Sequence, residues 1–105
     1  MPGARPASMA DVVVLEAAAA DYAAALRWYA ERSVAAATGF ETAISQAIEA
    51  IALQPLWYPA CDERHRFVMV RGYPYQLIYR LDSPESLVVV AVAHGSREPT
   101  FWLGR

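Results

Sequence analysis

The residues with most chemistry to offer follow a run of seven apolar residues, Leu87 to Ala93. His94 stops that run, Gly95 frees the backbone, and Arg97, Pro99, Phe101 and Trp102 come within the next eight positions. An imidazole that can move a proton near neutral pH, three residues from a permanently charged guanidinium, can bind an anion or serve acid–base chemistry. The duller roles weigh as much: a histidine at a strand end is commonly a hydrogen-bonded structural residue, and proximity to Arg97 alone does not tune it. Phe101 and Trp102 read better as a hydrophobic clasp fastening the C-terminus than as a platform for stacked bases.

Other constellations are thin. One cysteine and two distant histidines cannot supply a structural zinc site, and no phosphate-binding loop is present, so neither a metal nor a cofactor is expected. His65, between Arg64 and Arg66, reads as a surface residue. Cys61 has no partner for an internal disulfide, and without an export signal this points to the reducing cytosol. No apolar run is long enough to span a membrane.

The charge distribution says more than the net charge of −2. Residues 1 to 63 hold three arginines against eight acids, a balance of −5; residues 64 to 105 hold six against three, a balance of +3. The second half is therefore the one to face an anion or an acidic partner. All nine basic residues are arginine. The excess is smaller than a nucleic-acid-binding domain normally carries.

These groups need a frame. At 105 residues and 56% apolar composition the chain is expected to form one domain over residues 11–105, behind a disordered tail at residues 1–10 in which Met1 and Met9 both fit as the start. Val12 to Leu15 predicts a first strand. Tyr22, Leu26 and Tyr29 recur at helical spacing within Ala17 to Arg32. Ser33 is placed to cap a second helix marked by Phe40, Ile44, Ile48 and Ile51 and ended by Pro55; Gly39 inside it costs about 1 kcal/mol of helix stability. Gln54 to Glu63 reads as a loop packed down by Trp57 and Tyr58. Phe67 to Val70 and Tyr75 to Leu81 predict two strands around the turn Arg71–Pro74, and Asp82 to Ser86 turns the chain into Leu87–Ala93. That last run is too β-branched for a helix and apolar throughout, which predicts a central strand buried on both faces. The fold class is α+β: a strand, an antiparallel helix hairpin, then a three-stranded antiparallel meander.

The ordered combination of helix hairpin, Leu53-Gln54-Pro55, Arg71-Gly72-Tyr73-Pro74-Tyr75-Gln76-Leu77-Ile78-Tyr79, and Val90-Ala91-Val92-Ala93-His94-Gly95-Ser96-Arg97-Glu98-Pro99 with Trp102 resembles the RelE/ParE toxin superfamily of type II toxin-antitoxin systems. The likeness covers residues 11–105 and is greatest to the ParE, plasmid-stabilisation branch. One departure is at the first helix, where Glu16-Ala17-Ala18 stands in place of the Ser/Thr-Pro frequent in the family, which changes a cap.

The resemblance implies a cytoplasmic toxin neutralised by a cognate, co-encoded antitoxin, alone or in a toxin-antitoxin hetero-oligomer; the edge strands also leave a homodimer open. It implies one of two activities. The ParE-like one is non-catalytic inhibition of DNA gyrase, with Arg71, Arg80, His94, Arg97 and Trp102 as residues facing target or antitoxin. The RelE-like one is a ribosome-dependent endoribonuclease, with His94 as acid or base, Arg71, Arg80 and Arg97 clamping phosphate and Tyr79 as a supporting donor. The absence of lysine and the acidic net charge weigh against the nuclease, because affinity for RNA grows with the number of phosphates neutralised. A third reading is a module that keeps antitoxin binding and has lost toxicity.

Overall fold

The computed structural model describes residues 9–105. Its elements are β1 (Asp11–Val14), α1 (Glu16–Ala30), α2 (Val34–Leu53), β2 (His65–Met69), β3 (Tyr75–Ser83) and β4 (Ser86–His94). They form one four-stranded sheet in the order β1-β4-β3-β2. β3 runs antiparallel to both β2 and β4, while β1 lies parallel to β4, Asp11 opposite Ser86 through Val14 opposite Val89. The apolar run is central as expected, and every residue from Leu87 to Ala93 is buried.

Burial on both faces comes from two different covers. On one face the helices pack Phe40, Ile44, Ala47 and Ile51 of α2 with Ala18 and Ala25 of α1 against Leu77, Tyr79, Leu87, Val89 and Val92. On the other, Ile78, Val88, Val90, Ala91 and Ala93 are covered by Trp102, with Phe67 and Phe101 half-buried beside them. Removing each such side chain from water contributes about 1.5–3 kcal/mol for Val, Leu, Ile or Phe, which is why this meander needs a cover on each side. Val90 and Ala91 are sequence neighbours on one face because the pairing steps from Ile78–Ala91 to Tyr79–Val89, a bulge that inserts one residue and resets the alternation.

The helices begin for different reasons. Ser33 accepts a hydrogen bond from Ala36 N at 3.1 Å, the cap expected for α2. α1 has no side-chain cap at Leu15; Glu16 in its first turn offers only its charge to the helix dipole. Gln54, the residue before Pro55, leaves helical geometry and ends α2.

Several expectations shift. β2 starts at His65 and ends at Met69, because Val70 N donates to Tyr75 O at 2.9 Å and so belongs to the turn. β3 and β4 run on to Ser83 and from Ser86, shortening the turn between them. Tyr58 packs against the helix-side core, but Trp57 is 77% exposed and does not fasten its loop. Hydrogen bonds from Tyr79 Oη to Pro55 O (2.7 Å) and from Arg66 Nη1 to Tyr58 O (2.6 Å) do that instead. Of the expected tail, residues 1–8 lie outside the described residues, whereas Ala10 is buried and donates its N–H to Ala52 O at 3.0 Å.

Candidate functional site

β4 delivers His94 to the end of the sheet where the β2–β3 turn also lies, since Tyr75 pairs with His94. The chain then closes a tight turn, Arg97 N donating to His94 O at 3.0 Å, and Gly95 N donates to Pro74 O at 2.9 Å. Within it, His94 Nδ1 accepts from Ser96 N at 2.9 Å and lies 2.7 Å from Ser96 Oγ. A nitrogen accepting a main-chain N–H carries no proton, so the neutral ring is the tautomer with hydrogen on Nε2. The Tyr75 ring meets the imidazole edge-on at 4.9 Å, and the Arg97 guanidinium lies 3.9 Å from the centre of the Phe101 ring.

His94 and Arg97 form a ridge between two grooves. One, of about 550 Å³, runs between Asp21, Ala24 and Trp28 of α1 and Tyr75 and Val92 of the sheet. The other, of about 500 Å³, lies on the opposite face over Phe67, Gln76 and Ile78 and is bounded by Trp102.

The other expected site residues are placed differently. Arg71 is exposed in the β2–β3 turn, at the same end as His94, and makes no ion pair or hydrogen bond through its side chain among the described residues. Arg80 lies in the other half of the sheet, pairing with Asp82 at 3.0 Å and donating to the main-chain oxygen of Arg105 at 3.2 Å. Tyr79 is fully buried, its hydroxyl spent on Pro55 O, and burial pushes its pKa up to about 12. It has no access to a substrate, which corrects its expected role as a supporting donor. Trp102 is 5% exposed, packed over the second core at the boundary of the groove there. It rests 4.7 Å from the ring of His65, whose Nδ1 lies 2.9 Å from Asp62 Oδ1, so His65, expected at the surface, is partly buried against the C-terminal segment. The main-chain N–H of Arg64, followed by lesser help from His65, holds the Asp62 carboxyl below its ordinary value.

Two residues that sequence reasoning passed over close the edge of β4. The last bond to the first strand's side is Leu15 N to Val89 O at 3.1 Å; beyond it, Asp21 Oδ2 accepts from Val92 N at 3.1 Å and from Arg105 Nη1 at 2.6 Å, and Arg105 donates to Val90 O at 3.2 Å. The pair replaces the missing strand next to the bulge. Nothing local announces it, because its members are 84 positions apart.

No group of three His, Cys, Asp or Glu that could hold a metal ion occurs among the described residues, and no helix there is long and apolar enough to cross a membrane. Cys61 is an exposed free thiol whose pKa is raised by the protein around it and then by Asp62, which leaves it a weak nucleophile at neutral pH.

No curated protein sequence matches the chain. Among solved structures it is similar to one described as the chromosomal ParDE TA system from P. aeruginosa, at 14% identity and a TM-score of 0.71, over 84% of this chain and 98% of that one. That likeness is one of fold. The family model for the ParE toxin of type II toxin-antitoxin systems matches residues 12–99, which take in both helices, β2 to β4, all of β1 but Asp11, and the His94–Arg97 turn, and the chain therefore belongs to the ParE toxin family.

Proposed function

We propose that this toxin inhibits DNA gyrase by protein contact, without catalysis, and is neutralised by a co-encoded antitoxin with which it forms a hetero-oligomer. The observation that carries the reading is how few cations this end of the sheet presents. Tyr79 is sealed in the core and Arg80 is tied to Asp82 and Arg105, so a nuclease would have only His94, Arg97 and Arg71 to work with. Three groups without lysine support are few for gripping ribosomal RNA and sufficient for a protein surface. The fold match to a ParDE system supports the antitoxin as partner, and the Arg-bearing end with its α1 groove is the surface offered to an acidic, amphipathic segment.

The test is induced expression without antitoxin in cells carrying a DNA-damage reporter, with protein synthesis followed in parallel. Growth arrest with the reporter on and translation initially intact is the expected result. Prompt translation arrest with a silent reporter would move the reading to the ribosome-dependent nuclease. Normal growth with soluble toxin present would reduce it to an antitoxin-binding module.

A further inference from the structure

We propose that the His94–Arg97 turn is an oxyanion-recognition site that takes a side-chain carboxylate of a protein partner. The proposal deepens the reading of a toxin that works through protein contacts, and rests on it for the choice of partner.

Four contacts fix this turn. Arg97 N on His94 O closes it, Gly95 N on Pro74 O ties it to the β2–β3 turn, Ser96 holds the imidazole through Nδ1, and the Phe101 ring supports the guanidinium. Holding Nδ1 as an acceptor leaves Nε2–H as a donor. Among the described residues neither that Nε2 nor the Arg97 guanidinium spends a hydrogen bond or an ion pair, and the neighbouring acid, Glu98, accepts instead from Thr100 Oγ1 at 2.7 Å. An imidazole N–H donor and a planar fork, both oriented in advance by their surroundings, match the two oxygens of one anion.

The surroundings choose between anions. A nucleic-acid backbone presents a row of phosphates and calls for a row of cations. Here the walls of both grooves are mainly apolar, with Ala24, Trp28 and Tyr75 on one side and Phe67, Ile78 and Phe101 on the other. Asp21 lies further along the first groove. Asp62 and Glu98 line the second groove, so the few positive groups at this end, His94 and Arg97 with Arg71 nearby, are set between mainly apolar walls and acids rather than along a cationic track, which fits an Asp or Glu projecting from a segment whose other residues are apolar.

The experiment uses the whole chain, labelled with nitrogen-15, and follows the imidazole and guanidinium nitrogens by NMR while sodium acetate is added against sodium chloride at equal ionic strength. The expected result is a saturable shift at His94 Nε2 and Arg97, with Arg71 and Arg64 moving no more than in chloride. Arg97→Gln should leave the amide spectrum folded and weaken the His94 response roughly tenfold, the loss expected for one charge-assisted hydrogen bond. A uniform small shift at every exposed arginine, or none at His94, would overturn the site. A response to a short single-stranded oligonucleotide tighter than that to acetate would overturn the carboxylate assignment in favour of nucleic acid. Neither readout depends on what the toxin poisons, so failure here is separable from failure of the gyrase reading.

Discussion

The hydroxyl of Tyr73 occupies the space that a side chain at Gly39 would need: a Cβ built there lies 2.5 Å from Oη. That hydroxyl donates to Ala36 O at 2.7 Å, and its ring packs edge-on against Tyr29 and Phe40, so Gly39 is the opening through which the β2–β3 turn docks on α2. A gain in helix propensity of about 1 kcal/mol therefore competes with overpacking of about 1–3 kcal/mol. Gly39→Ala should lower the urea midpoint, and Gly39→Ala/Tyr73→Phe should recover part of the loss. A more stable single variant would contradict the docking role.

Breaking the Asp21–Arg105 pair should be expensive, since it strands Val92 N–H as well as the guanidinium. Asp21→Ala is expected to cost about 2–4 kcal/mol, below the top of the range for buried pairs because both side chains keep some exposure. A double-mutant cycle with Arg105→Ala, read by thermal unfolding, should give clear coupling; additive losses would show that the two act separately.

Tyr79 sets an alkaline limit. Its pKa rises from 10 to about 12 on folding, chiefly through burial, so the folded state holds the proton more tightly than the unfolded chain. The stability this lends is complete below pH 10 and is lost as pH climbs from 10 through about 12. Tyr79→Phe should flatten the fall in stability over that window, at a cost of about 1 kcal/mol at neutral pH for the lost bond to Pro55 O.

At the proposed contact end, Arg97→Ala and Arg71→Ala should each weaken growth inhibition or antitoxin binding by roughly tenfold or more, as truncated interface anchors do. Arg64→Ala, exposed in the loop just before β2, should change neither. Dose-response induction and calorimetry with purified antitoxin separate the two effects. Equal losses for all three would indicate a diffuse charge effect.

What could be read from the sequence followed from periodicity and breakers. Ser33 as a cap, Pro55 as a stop and the unbroken Leu87–Ala93 run carry their structural meaning locally, and the order of elements follows from them. What could not be read was set by pairing across the chain. The parallel seating of β1 on β4, the bulge at Val90 and the Asp21–Arg105 closure depend on residues brought together only by the sheet. The partial burial of His65 has the same origin: its neighbours in sequence are charged, but its neighbour in space is Trp102. For the candidate site, His94 and Arg97 were visible at the strand end, while the burial of Tyr79 and Trp102 required knowing what covers each face.

The position of β4 between β1 and β3 also fixes when the protein can fold. The first strand has no hydrogen-bonding partner until the last has been synthesised, and both cores lack their shared wall until then. A ribosome releasing residues in order, at about 5–20 per second, therefore carries an incomplete sheet until His94 has cleared the exit tunnel. The surface formed by the completed sheet therefore exists only once β4 has been made and has paired on both sides.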